Sequence, residues 1–158
     1  MTDPIDFRRC LGRFATGVTV ITCIDGAGER CGITVNSFSS VSLEPPLILW
    51  NIAKVSRSLD AWLNAGHFGV NVLAADQQPL SAHFARSDIE LFRDLDHDTS
   101  VRGVPRLRDC LAWLECRTHE VHDCGDHHII VGEVLEFEPG DGDPLLFYRG
   151  EYHSLEDN

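Results

Sequence analysis

A chain of 158 residues is the size of one domain, and such a domain buries roughly 70% of the surface its unfolded chain exposes, so residues 1–158 are expected to fold as one unit without a disulfide or structural metal. Thirteen Lys and Arg stand against 25 Asp and Glu, a net charge of -12, and a field of that sign repels phosphodiester backbones and anionic lipid. Nucleic acid and membrane surfaces are therefore excluded as partners. No apolar run approaches the roughly 18 residues a membrane span needs. The segment Met1–Arg13 carries acids and arginines and lacks the apolar core of a signal peptide, so a cytoplasmic location is expected. The six cysteines (10, 23, 31, 110, 116, 124) form no Cys-x-x-Cys and read as reduced thiols.

Asp3-Pro4 opens a helix, with an N-cap candidate followed by proline at the first position, and Phe7, Cys10, Leu11 and Phe14 give it one apolar face. Val18–Cys23, β-branched at nearly every position, reads as a strand with two buried faces. Asp25–Gly28 is turn chemistry, and Cys31–Asn36 returns as the second strand of a hairpin. A hydroxyl-rich stretch, Ser37–Ser42, precedes the rigid Glu44-Pro45-Pro46 and the apolar strand Leu47–Trp50, in which Trp50 reads as core. Ser56 is expected to cap a short helix over Arg57–Asn64, ended by Gly66. Phe68–Leu73 is a strand, and Asp76 opens a helix that includes Leu80, His83 and Phe84. The segment Ile89–Arg108 is irregular and acidic. Leu111–Cys124 and His127–Phe137 are two long strands, and Leu145–Tyr148 is a last short one. Six or seven strands and about three helices, joined mostly by turns too short for parallel crossovers, predict an α+β, mostly β fold: an antiparallel barrel with flanking short helices.

Several chemistries fail on context. Gly26-Ala27-Gly28 starts like a dinucleotide fingerprint but joins strand to strand, and Cys31 stands at the third glycine. Asp94, Asp96 and Asp98 start like a calcium loop, yet Thr99 and Pro105 occupy its obligatory Gly and Glu positions. The cluster His119, His122, Cys124, His127 and His128 tempts a zinc reading, but on a strand His119 and His122 point to opposite faces, and no metal is expected. No Gly-x-Ser-x-Gly elbow supports a nucleophilic serine.

Two segments carry chemistry. Between Gly32 and Ser42 the chain presents Thr34, Asn36, Ser37, Ser39, Ser40 and Ser42, which suit a flat heterocycle with many acceptors or a phosphate, and equally a polar edge strand and loop. Ser56-Arg57-Ser58 at a helix start is either an anion site or an ordinary N-cap.

With these residues in view, nearly the whole chain resembles the short-chain flavin reductases, the reductase components of two-component flavin-dependent monooxygenases. The resemblance runs through Phe14–Val20, Gly32–Phe38, Ser40–Leu47, Phe68–Leu73, Phe84-Ala85, Trp113–Cys116, Gly125-Asp126-His127, Gly132–Val134 and Pro144–Tyr152. It implies a Greek-key split β-barrel that forms a homodimer, binds FMN or FAD, and reduces it with NADH or NADPH for a partner monooxygenase. It further implies that Thr34, Val35, Asn36, Ser37 and Ser39 line the isoalloxazine. Asn51, Ile52, Ala53, Ser56, Arg57 and Ser58 would hold the ribityl chain and phosphate, with Phe84, Ala85 and Arg86 completing those contacts. His127 is placed at the nicotinamide, with Tyr152 nearby. No residue need act as acid or base, because hydride transfer between nicotinamide and flavin is carried by the cofactors. Val35 stands where the family often has a smaller residue beside the ring, and Trp50-Asn51 is bulkier and more polar than the family's usual pair. A second reading keeps the same barrel as a non-catalytic flavin- or haem-related binding protein. With no arginine cluster evident for a 2′-phosphate, the sequence leans toward NADH.

Overall fold

The computed structural model describes residues 3–155; the ends of the expected 1–158 domain lie outside the described residues. Helix α1 (Pro4–Leu11) starts as expected: the Asp3 side chain accepts a hydrogen bond from the Ile5 N–H (2.8 Å), and Pro4 occupies the first turn. The strands follow as β1 (Thr16–Gly17), β2 (Thr19–Ile24), β3 (Arg30–Val35), β4 (Ser39–Leu43), β5 (Pro46–Ala53) and β6 (His67–Val72). After them come β7 (His97–Thr99), β8 (Pro105–Leu107), β9 (Ala112–Cys124), β10 (His127–Pro139), β11 (Leu146–Tyr148) and β12 (Glu151–His153). Helix α2 (Leu59–Asn64) lies between β5 and β6, and α3 (Gln78–Phe84) follows β6.

Seven strands form one antiparallel sheet in the order β3-β2-β6-β9-β10-β5-β4. Its two edges, β3 and β4, are joined by residues 36–38 alone. Laid flat, six strand spacings would separate those edges by about 29 Å, whereas the chain from residue 35 to residue 39 spans at most about 15 Å. The sheet must therefore curl until its edges approach, and because β3 and β4 are not neighbours in the ladder, the barrel stays split along that seam. The inward faces of six strands and α2 meet in one core of Ile21, Trp50, Trp62, Phe68, Val70 and Ile130. Trp50, fully buried, meets Trp62 edge-on at 5.3 Å between ring centroids. A second core of Val18, Val20, Leu73, Phe84, Leu107 and Leu145 sits outside the barrel beneath α3. The two faces of β2 feed one core each, as its unbroken β-branched run predicts.

The hydroxyl-rich stretch, left open between a ligand segment and a polar edge strand, is an edge strand, β4, because its backbone pairs with β5. Four expectations change. The helix expected over 57–64 begins only at Leu59: Ser56 closes a turn instead, and Ser58 gives its side chain to the Trp62 indole (2.9 Å) rather than to the helix backbone. The helix expected from Asp76 splits into a 3-10 turn (Ala75–Gln77) and α3, with Pro79 in the first turn of α3. The acidic segment 89–108 is not wholly irregular: it holds the hairpin β7–β8, where Arg108 bonds Asp96 and Asp98. The last strand is two, β11 and β12, forming a small sheet with β1.

Candidate active site

The split seam separates two hollows. The first, about 740 Å³, lies where β3, the 54–58 turn and the end of α3 converge. Gly32 and Ile33 form its floor, Ser56, Arg57 and Ser58 one wall, and Ala85 and Arg86 another. Gly32 is required by close approach, because a Cβ there would sit 2.4 Å from the Phe84 ring. Phe84 itself is 1% exposed and holds the second core together, meeting His83 and Phe92 edge-on. It therefore supports the cavity from behind and offers it only a ring edge. Arg86 is held by Asp88 through two hydrogen bonds (3.0 and 2.9 Å), which pull the Asp88 carboxyl below its ordinary range, with Arg57 adding to the effect. Arg57 has no acidic hydrogen-bond partner among the described residues. Ser56 and Ser58 share a contact between hydroxyls (3.3 Å). Because α2 has only six residues, the anion-binding power of this wall lies in Arg57, Arg86 and the Ser56 and Ser58 hydroxyls rather than in a helix end; Ser58 accepts from the Trp62 indole and keeps its own proton to donate.

The second hollow is a groove of about 1540 Å³ between α1 and the seam. Asn36, Ser37, Ser39 and Asn51 line it. The Ser37 hydroxyl accepts a hydrogen bond from the Asn51 N–H (3.0 Å), bridging the 36–38 linker to β5. Asn51 Oδ1 and Thr16 Oγ1, both on residues of this groove, are buried without a hydrogen-bond partner among the described residues. A flat heterocycle edged with N–H donors and carbonyls fits atoms left in that state.

Thr34 stands between the two hollows on β3 and donates to the Ser81 carbonyl (2.6 Å). Val35 and Ile52 present their side chains to the barrel core, so the added bulk at Val35 is absorbed by packing. Ala53 lies opposite His127 across the β5–β10 ladder. His127 Nδ1 is 2.6 Å from Asp126 Oδ1, which fixes the Nδ1 proton because a carboxylate only accepts. Tyr152 sits on β12 in the small sheet, with its hydroxyl on Ser81 Oγ (2.7 Å) and its ring against Phe147 (5.4 Å). Ser81 thus carries both Tyr152 and Thr34. In the 119–128 segment His122 contacts Glu120 at 2.8 Å.

The groove's other wall has almost no signature in the local residue pattern. Arg8, Arg9, Arg13 and Arg149 line it, an arginine cluster where the sequence showed none. One signal was legible: Arg149-Gly150 is the two-residue turn of the β11–β12 hairpin, a site that usually takes Asn, Asp or Gly.

The profile of the flavin reductase-like domain matches residues 11–156. The FMN reductase (NADH) SmoA of Agrobacterium fabrum strain C58 is 51% identical over 146 residues, covering 92% of this chain and 83% of SmoA. The flavin-dependent monooxygenase reductase subunit HsaB of Rhodococcus jostii strain RHA1 is 45% identical, over 98% of this chain and 79% of HsaB. Among solved structures, the NADH:FAD oxidoreductase SgcE6 of Streptomyces globisporus C-1027, in complex with NAD and FAD fragments, superposes with a TM-score of 0.92 at 34% identity, covering 100% of this chain and 98% of SgcE6. With the split barrel, the polar seam and matches of this breadth in agreement, the chain belongs to the flavin reductase-like domain family.

Proposed function

We infer that the groove and the cavity take the two ends of one flavin, and that the protein is an NAD(P)H:flavin oxidoreductase supplying reduced flavin to a separate monooxygenase. One observation carries this reading: β3 and its linker run from the arginine-walled cavity at Gly32 to the polar groove at Asn36 and Ser37, so one continuous segment serves a phosphate end and a ring end. Flavin, when bound, accepts a hydride at N5 from C4 of the reduced nicotinamide. The chain binds and aligns. Arg57, Arg86, Ser56 and Ser58 hold the phosphate. Asn36, Ser37 and Asn51 meet the ring's polar edge. Thr34, fixed through Ser81 with Tyr152 behind it, sets the height of the strand between them. Asp126 keeps the His127 proton on Nδ1 and leaves Nε2 for the nicotinamide carboxamide. FMN and FAD both fit this division, and NADH is the favoured donor, in line with the relatives named for it.

The active form is a homodimer of one-domain chains, 1–158, in the cytoplasm. No helix among the described residues is long and apolar enough to cross a membrane, and all six thiols are free, which supports a reducing compartment.

The test is NADH oxidation at 340 nm with and without FMN or FAD. Oxidation that saturates with added flavin is expected. Flavin binding without turnover would establish the non-catalytic binding protein instead. His127→Ala is expected to raise KM for NADH about tenfold, the loss of roughly one hydrogen bond, with flavin Kd unchanged.

A further inference from the structure

We propose that Arg8, Arg13 and Arg149 form the anion seat for the pyrophosphate of the reduced nicotinamide dinucleotide, beside the polar floor of Asn36, Ser37 and Asn51. The proposal rests on the flavin reductase reading and adds to it where the rest of the hydride donor lies.

Charge makes the first argument. A dinucleotide brings two negative charges to a protein of net charge -12, so the approach needs a local reversal of sign. The groove supplies one: four of the thirteen Lys and Arg line it, and none of the 25 acids does among the described residues. Arg9 is engaged with Asp6 at 3.4 Å. Arg8 and Arg13 have no ion-pair partner among the described residues, and the Arg149 guanidinium rests 5.9 Å from the centre of the Tyr148 ring.

Geometry makes the second. Hydride transfer requires the nicotinamide to lie on the flavin ring with reacting atoms about 3–3.5 Å apart. With the ring at the seam, the remainder of the donor has to leave along the groove, past α1. At about 1540 Å³ the groove exceeds the roughly 300–1,000 Å³ that a drug-sized ligand occupies, so it has room beyond one flat ring.

The backbone makes the third. The Arg149 N–H donates to the Gly12 carbonyl (2.9 Å), clipping the end of α1 to the β11–β12 turn and setting Arg13 beside Arg149. Arg149 holds φ +56° and Gly150 φ +83°, the left-handed pair of a type I′ turn. Arginine is a costly choice at the first of these positions, so the guanidinium has a use that the turn does not explain.

The test uses purified full-length protein with saturating FMN. R8Q/R13Q/R149N should raise KM for NADH at least tenfold, with kcat within twofold and FMN Kd unchanged. Raising KCl from 20 to 300 mM should raise the wild-type KM and leave that of the variant nearly flat. R149N alone suits the turn better than arginine does, so it should keep or raise Tm while raising KM for NADH severalfold, and R149K should recover most of that loss. NADPH serves as the second arm: a pyrophosphate seat raises KM for both donors by the same factor. An effect confined to NADPH would assign the arginines to a 2′-phosphate and overturn the proposal. So would an NADH KM within twofold of wild type, an FMN Kd weakened by the same factor, or a KM loss that tracks dissociation to monomers. Absence of wild-type turnover would instead remove the reductase reading itself.

Discussion

The two hollows are built in opposite ways. The cavity is backed by core: Phe84 lies buried behind it, Gly32 admits that ring, Ser58 is tied to the Trp62 indole, and Arg86 is locked by Asp88. The far wall of the groove is a surface helix. No residue of α1 is buried, and its arginines stand in solvent with little to hold them. Such a wall suits an occupant that arrives and leaves in every cycle, whereas a wall locked by packing suits the moiety whose position must be fixed. Preorganisation costs stability to build and lowers the entropy lost on binding. It is found on one side of the seam only.

The sharpest way to break this contrast is Phe84→Ala. The cavity backing should lose about 3–5 kcal/mol of stability, read by chemical denaturation, and flavin affinity should fall with it. An unchanged midpoint would show that the cavity does not depend on the core. Gly32→Ala pushes a methyl into the same ring from the other side and should cost about 1–3 kcal/mol. Arg57→Ala removes a cation whose charge is not already matched by a hydrogen-bonded acid, so flavin Kd should weaken about tenfold by titration calorimetry, with Tm unmoved. On the groove side, Leu11→Ser with Phe14→Ser should change unfolding free energy by no more than about 0.5 kcal/mol in dilute protein. A loss that grows with protein concentration would show a second copy covering α1.

The smallest effect is on the thiols. Burial pushes Cys116 up from 9.0 to about 12 and Cys110 to about 11, so both remain protonated at pH 8. A disulfide reagent at pH 8 should label the exposed Cys10 and Cys124 at once and reach Cys116 only on unfolding. The folded state holds the Cys116 proton more tightly than the unfolded state does. Its contribution to stability is complete below pH 9 and is lost as pH rises from 9 toward 12.

Much of the seam was legible in the chain because its residues are close in sequence. Thr34, Asn36, Ser37 and Ser39 fall within one strand exit, and Ser56-Arg57-Ser58 within one turn. Local pattern also marks Val18–Cys23 as doubly buried and Asp3-Pro4 as a helix start, since β-branching and capping act over a few residues. Helix α2 starts two residues later than the local pattern predicts because Ser58 has two competing partners, and the Trp62 indole, placed by the core, takes its side chain from the backbone.

The sequence by itself determined the antiparallel strands, the polar run over residues 34–39 and the helix start at Asp3-Pro4, because each follows from short-range residue order. Only the tertiary structure decided which side of the seam each group serves. It set Tyr152 behind Thr34 through Ser81, kept His127 with Asp126 on another sheet, and clipped Arg149 to Gly12 so that arginines more than a hundred positions apart share one groove. The physical reason is long-range pairing: the 36–38 linker is too short to span a flat sheet and forces the seam to close, and the Arg149–Gly12 hydrogen bond joins the β11–β12 turn to the end of α1, so groups meet that no local pattern connects.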